Sequence, residues 1–285
     1  MHSAVPDSEN GYLLNYQDEE RARMQIQHDL IKAYMGKLIL APIDLTQSGL
    51  RVLDSGTFDA LWLRDISTIL TSPILTGTDV SATAFPPPST LPPNTTLHVQ
   101  SIADPWPAAW QETFDLVHQK LVIACLPPPQ GRKALGALIA LAKPGTGYVQ
   151  FTEGSLEHLT EPQKKQFPVL ARFQATVAEM LPLLGWNPRP GKLVREWVAE
   201  LGCVDVQEKV MEIGIGAGNE DRKLGGWAMR NMVETVRNFR EAAGKLPAGS
   251  KVSAADFEGL VEAIEEEFAT VGGILRYNTV WGRRA

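Results

Sequence analysis

Cysteine is almost missing from this chain, with Cys125 and Cys203 the only two in 285 residues. Two thiols cannot build a disulfide framework or a four-thiolate zinc site, and both lie in apolar segments where burial is the expectation. Cysteines and histidines nowhere fall at ligand spacing, so no metal is expected. No apolar run approaches the ~20 residues of a membrane span. The opening MHSAVPDSEN has neither a basic region nor an apolar one, so no secretory signal is expected. Asn94-Thr95-Thr96 matches a glycosylation acceptor, which in such a chain is expected to stay unmodified. Basic charge is also short: 27 Lys and Arg against 33 Asp and Glu leave a net charge of −6, which argues against a nucleic-acid partner. Walker sequences and nucleophile elbows are absent, which removes phosphoryl transfer and serine hydrolysis. A cytoplasmic globular protein remains, 44% hydrophobic and able to bury a sizeable core.

What is present is an alternation of strands and helices. Residues 1–10 read as a polar tail, and Tyr12 to Leu40 as an entry helix within an 11–45 segment. Arg51-Val52-Leu53-Asp54 is a short apolar strand that turns at Ser55-Gly56-Thr57 into a helical stretch, Phe58 to Leu70. Strands follow at Pro73 to Val80, Thr95 to Gln100, Phe114 to His118 and Tyr148 to Phe151, with a helix at Arg132 to Ala142. The proline-rich FPPPSTLPP cannot be regular structure. Alternation at this spacing implies a parallel sheet with helices on both faces. Beyond it come helices at Glu161 to Leu184, Lys192 to Leu201 and Leu224 to Ala243, and a last one capped at Ser253 and running to Thr270. Val204 to Ile213 and Gly273 to Gly282 alternate as two late strands, which predicts an antiparallel hairpin on the sheet edge. Residues 11–285 read as one α/β domain with helical lid insertions at 155–200 and 219–270. Gly214-Ile215-Gly216-Ala217-Gly218 follows the sixth strand and reads as a hairpin or lid loop, not as a nucleotide loop.

Several landmarks stand in a telling order: NYQDEERARMQIQHDL, VLDSGTFDALWLRD, GTDVS, PWP at Pro105 to Pro107, FDLVHQK and KPGTGYVQFTEG. Together they resemble the class I S-adenosylmethionine (SAM) methyltransferases, in their fungal secondary-metabolism branch. The resemblance covers roughly residues 11 to 155 and, more loosely, the two terminal strands. It implies a Rossmann-like, seven-stranded, mostly parallel sheet. The family pattern Asp/Glu-x-Gly-x-Gly-x-Gly stands here as Asp54-Ser55-Gly56-Thr57-Phe58-Asp59-Ala60, with one glycine left. Glycines let the backbone approach a cofactor where side chains would collide. Phe58 is therefore expected to enter the methionine volume, and Asp59 to repel its carboxylate. The resemblance places Asp54 and Gly56 at the cofactor, Asp79 at the ribose hydroxyls, and Gln100-Ser101 where the adenine-facing acid usually stands. It also places His118 and His28 beside the reaction.

Trp106, Trp186 and Trp227, with Tyr12, are expected to wall a pocket for a bulky apolar small molecule at the carboxyl ends of the strands. His98 and His158 read as structural. Three functions are open at this point. The favoured one is a cofactor-independent cyclase or pericyclase of Diels–Alder type that keeps the fold and has lost SAM. The alternative is a SAM-dependent methyltransferase of a secondary metabolite. A non-catalytic regulatory partner comes third. Substrate identity and oligomeric state are not written in the sequence.

Overall fold

The computed structural model describes residues 18–285, with Glu157 left out. Seven strands form one sheet in the order β3-β2-β1-β4-β5-β7-β6. They are β1 (Arg51–Ser55), β2 (Ile74–Asp79), β3 (Thr95–Val99), β4 (Leu116–Lys120), β5 (Tyr148–Gly154), β6 (Cys203–Ile215) and β7 (Gly273–Arg284). The first five pair in parallel. β7 runs the other way beside β5, since Arg284 N donates to Gly147 O at 2.9 Å while Thr279 meets Thr152 at 2.8 Å. It is also antiparallel to β6, with Arg283 on Asp205 at 2.8 Å and Asn278 on Glu208 at 2.7 Å. The mostly parallel sheet with its late hairpin is therefore present.

The chain divides into two compact units. The sheet unit holds Lys37–Gly154, Pro190–Val210 and Asn278–Ala285. Its core has two layers. On one face Leu53, Val117, Val149 and Phe151 pack with α3 (Pro128–Ile139) and α6 (Pro190–Glu200); on the other Val52, Leu75 and Leu116 pack with α2 (Leu61–Ser67). Strands buried on both faces read as continuous apolar runs, which is why this unit was legible.

The helical unit holds the described part of Met1–Gly36 together with Ser155–Arg189 and Met211–Tyr277. It contains α1 (Asp18–Met35), α4 (Glu161–Gln166), α5 (Pro168–Met180), α7 (Arg222–Gly244) and α8 (Leu260–Thr270). Asp221 caps α7 by accepting from Lys223 N and Leu224 N at 2.9 and 3.0 Å. The buried Glu267 carboxylate accepts from Val169 N and Leu170 N, both at 2.8 Å, and so closes the first turn of α5. No helix among the described residues is long and apolar enough to cross a membrane.

Several boundaries differ from the sequence expectation, each for a local reason. The helix expected over Glu161 to Leu184 is broken: Pro168 starts a new helix after Phe167, and Pro182 tightens the end into a 3₁₀ turn. A proline inside a helix removes a donor and clashes with the preceding turn. α3 begins at Pro128, not Arg132, because proline at the first helical positions lacks only an amide that had no partner. Ser253 caps a 3₁₀ turn at Ala254–Phe257, and left-handed Gly259 starts α8 afresh. α2 begins at Leu61, not Phe58.

Candidate functional site

The backbone after β1 explains that last difference. Gly56 N and Thr57 N both donate to Thr78 O at 2.8 Å, tying the turn to β2. Gly56 sits at φ 73° and a Cβ there would collide with Val122, so only glycine fits. Phe58 follows at φ 52° and Ala60 at φ 60°. These are the three glycine places of the family pattern, and all three have positive φ. For phenylalanine and alanine that conformation costs roughly 1–2 kcal/mol each. Phe58 is 7% exposed, and its N–H donates to Asp79 Oδ2 at 2.9 Å. Asp59 is not a bare charge: Arg64 Nη2 lies 3.4 Å from its carboxylate, and Arg64 Nη1 donates to its carbonyl at 2.7 Å. The repulsion assigned to Asp59 is thereby offset, though a half-exposed pair is weak.

Asp54, the acid that opens the pattern, is 3% exposed and directly opposite His118 in the β1–β4 register. Its Oδ1 lies 2.7 Å from His118 Nδ1. The imidazole is 1% exposed and stacks flat on Trp62, with centroids 3.6 Å apart and planes 2° from parallel. Burial pulls the His118 pKa down, and the Asp54 carboxylate opposes it. Because a carboxylate only accepts, the contact places a proton on Nδ1. This arrangement locks the ends of β1 and β4 together.

Asp79 ends β2 with Oδ2 on Phe58 N and Oδ1 accepting from Ser81 N at 3.3 Å. Burial raises its pKa against those bonds. Gln100 N donates to Asp79 O at 2.8 Å, and the Gln100 amide donates to Ser101 O at 2.9 Å. Ser101 Oγ accepts from Ala103 N at 3.2 Å. The structure thus gathers Asp54, Gly56, Phe58, Asp79, Gln100, Ser101 and His118 at the carboxyl ends of adjacent strands in the sheet unit.

Trp106 is also in the sheet unit, buried in the α3–α6 core layer beside Trp110. His28 is buried in α1, and Trp186 and Trp227 are half-buried; all three belong to the helical unit. Tyr12 lies outside the described residues. His158 has Nδ1 at 2.7 Å from Ser155 O and Nε2 at 3.1 Å from Ile274 O, with both ring nitrogens facing backbone carbonyls.

Sequence reasoning missed a row of buried polar side chains. Thr78, Ser55 and Gln119 stand side by side across β2, β1 and β4, and Gln119 Nε2 donates to Glu153 Oε1 on β5 at 2.9 Å. Thr78 Oγ1, Ser55 Oγ, Gln119 Oε1 and Glu153 Oε2 are buried with no hydrogen-bond partner, as is Thr57 Oγ1 in the turn. Buried polar atoms are nearly always paired, so five bare ones together mark a place that expects a ligand or water. The available signal was a polar residue closing each apolar strand run.

No family model matches the chain. It is 68% identical over 282 residues to the N-methyltransferase gliN of Aspergillus fumigatus, covering 99% of both chains. It is 50% identical over 276 residues to the N-methyltransferase sirN of Leptosphaeria maculans, covering 97% of this chain and 95% of that one. Among solved structures, the cyclopropane synthase MmaA2 of Mycobacterium tuberculosis matches with a TM-score of 0.55 at 13% identity, over 99% of this chain and all of that chain, a likeness of fold.

Proposed function

The chain belongs to the class I methyltransferases, in the fungal secondary-metabolism branch with gliN and sirN, and we propose that it transfers a methyl group from SAM to a nitrogen of an apolar small natural product. The observation that carries this reading is the turn after β1, whose backbone has positive φ at all three glycine places although only Gly56 is glycine. Relatives named N-methyltransferases at 68% and 50% identity support nitrogen as the acceptor.

The donor set supports the cofactor too. SAM carries ribose hydroxyls, an amino-acid end and an adenine edge. Ser55, Thr57, Thr78 and Gln119 offer bare polar atoms at the strand ends, where open α/β sheets bind their ligands. Asp79 retains lone pairs for a ribose hydroxyl beside its bonds to backbone amides, and Gln100 and Ser101, which follow β3, are the candidates for the adenine edge. Asp54, held by His118, fixes the start of the turn. Bound SAM supplies an electrophilic methyl group on a sulfonium. The chain's share of the catalysis is to hold the nucleophile in line with it and to exclude water.

One observation favours a second reading. Phe58 places a buried benzyl group where the family pattern has none. On that reading the fold serves a cofactor-free cyclase of Diels–Alder type, restricting an apolar precursor to one reactive conformer. Calorimetry with SAM and S-adenosylhomocysteine, together with product mass, separates the two. Micromolar binding and a product heavier by one methyl group are expected. No heat at millimolar ligand and a product isomeric with its precursor would overturn methyl transfer. In that case the Phe58→Gly, Asp59→Gly double variant should gain SAM affinity.

A further inference from the structure

Glu153 stands next to last in β5, is wholly buried, and is held by Gln119 and by backbone amides of the loop after β4. Its Oε1 accepts from Gln119 Nε2 and Val122 N at 2.9 Å and from Ile123 N at 2.8 Å, while Oε2 has no partner. No Lys, Arg or His pairs with the carboxylate among the described residues. A buried carboxylate without a counter-charge is costly, and three donors on one oxygen fix its orientation without satisfying the other. Beside it, Gln119 Oε1 is bare as well. Amide and carboxylate oxygens of this kind only accept. With Glu153 ionised, both atoms only accept and call for a donor from outside the protein, which a partly cationic N–H suits best.

The loop these donors come from is part of the same neighbourhood. Leu121 is left-handed at φ 59°, and the Val122 side chain fills the space that a Cβ on Gly56 would need. Glu153 therefore touches, through one residue, the turn described above.

We propose, building on the methyl-transfer reading, that Gln119 and Glu153 receive the N–H of the nucleophilic nitrogen and that Glu153 takes its proton during transfer. The N–H bond breaks and its proton goes to Oε2, while the nitrogen lone pair forms the bond to the methyl carbon. The carbon–sulfur bond breaks with its electron pair left on sulfur. Sulfonium and carboxylate become thioether and carboxylic acid, so charge balances. Burial sets the Glu153 pKa at about 7, the range in which a general base is effective. On the neighbouring strands, burial raises the Asp79 pKa and lowers that of His118, and Lys120 stands opposite Thr152 at the end of β4. Cys125, beside Glu153 and Asp79, is pushed up to about 12 and stays a thiol. On the helices of this face, Arg132, Lys133, Lys192, Arg195, Glu196 and Glu200 are all exposed.

Sinefungin, which carries an amine where SAM carries its methyl group, is the probe, with S-adenosylhomocysteine as the control sharing its amino-acid end. Calorimetry on the whole chain should show a preference for sinefungin that appears as pH rises through about 7. Glu153→Gln should abolish that preference, by about tenfold or more, with the homocysteine affinity retained. An equal loss for both ligands, or no pH-dependent preference in the wild-type protein, overturns the proposal. If neither ligand binds wild type, the methyl-transfer reading itself has failed. The wild-type pH series needs no variant, so it decides the question even where Glu153→Gln does not fold.

Discussion

In the helical unit Glu20 and Arg23 are buried together, joined at 2.6 and 2.8 Å, with Asn231 and Asn238 completing the set at 3.1 Å each. In the sheet unit Glu153 is buried more deeply and has no partner on Oε2. Glu267 of the helical unit has both oxygens occupied by amides. In the sheet unit the strand-end hydroxyls of Ser55 and Thr78 have nothing. The helical unit has orphans too, on Ser155, Asn187 and Arg276, but its large buried networks are closed. Each bare buried group costs roughly 1–3 kcal/mol, a serious sum against a typical net stability of about 5–15 kcal/mol. A fold sustains that cost where a ligand supplies the missing partners. The bare side chains of Ser55, Thr57, Thr78, Gln119 and Glu153 differ from the isolated ones elsewhere in standing together at neighbouring strand ends.

The contrast breaks first, and with the largest effect, at Arg23. Arg23→Ala strands the buried Glu20 carboxylate, and urea unfolding at pH 7 should show a loss of about 3–5 kcal/mol. A loss below about 1 kcal/mol would mean that the cluster is not the closed network its geometry describes.

Glu153→Gln should move stability in the opposite direction. The Glu153 pKa is raised in the folded chain from 4.5 to about 7, so the native state holds a proton that the unfolded state gives up. Its contribution to stability is complete below about pH 4.5 and is lost as pH rises through about 7. At pH 8 the glutamine variant, which cannot ionise, should be the more stable protein by on the order of 3 kcal/mol. At pH 4 the two should match. Unfolding curves at both values check the sign, and a variant weaker at pH 8 would show that the charge holds the fold together.

Glu267→Ala comes next. It exposes the first amides of α5 without leaving a charge behind, and should cost about 1–3 kcal/mol. Hydrogen exchange should locate that loss at Val169 and Leu170. Protection unchanged at those two amides would refute the capping role.

The contrast also explains what could be read from the sequence. The central strands β1, β4 and β5 were legible because a buried parallel strand reads as an apolar run, the edge strand β3 by its place in the strand–helix alternation, and the late hairpin because β6 and β7 alternate. The glycine turn was legible at Gly56. Its backbone at Phe58 and Ala60 was not, since neither residue type announces a left-handed conformation. The Asp54–His118 pair depends on a register between residues 64 apart, and no local pattern carries that. Glu153 sits in Thr152-Glu153-Gly154, which alone reads as a polar strand end. Its burial follows only once β7 adds to that edge and the post-β4 loop folds over it. The break at Pro168 follows from proline's preference for the first turn of a helix, with the polar Glu161–Gln166 segment ending before it.

The smallest effect tests the turn itself. Ala60 is fully buried at φ 60° and ψ 23°. Replacing it with glycine removes a methyl group, a loss of about 0.8 kcal/mol of burial. It also frees the unfolded chain, which costs about another 0.4–1 kcal/mol. Against these stands the release of a left-handed alanine, worth about 1–2 kcal/mol. The terms nearly cancel, so Ala60→Gly should leave stability within about 1 kcal/mol of wild type. Ala228 is the control, equally buried but inside α7. Ala228→Gly loses the same methyl group and gains no relief, so it should cost about 2 kcal/mol. The difference between the two variants measures the strain stored at a glycine place that has no glycine. Equal losses would mean that Ala60 rests there without strain, and that the turn has settled into a shape of its own instead of keeping the one glycine would have given it.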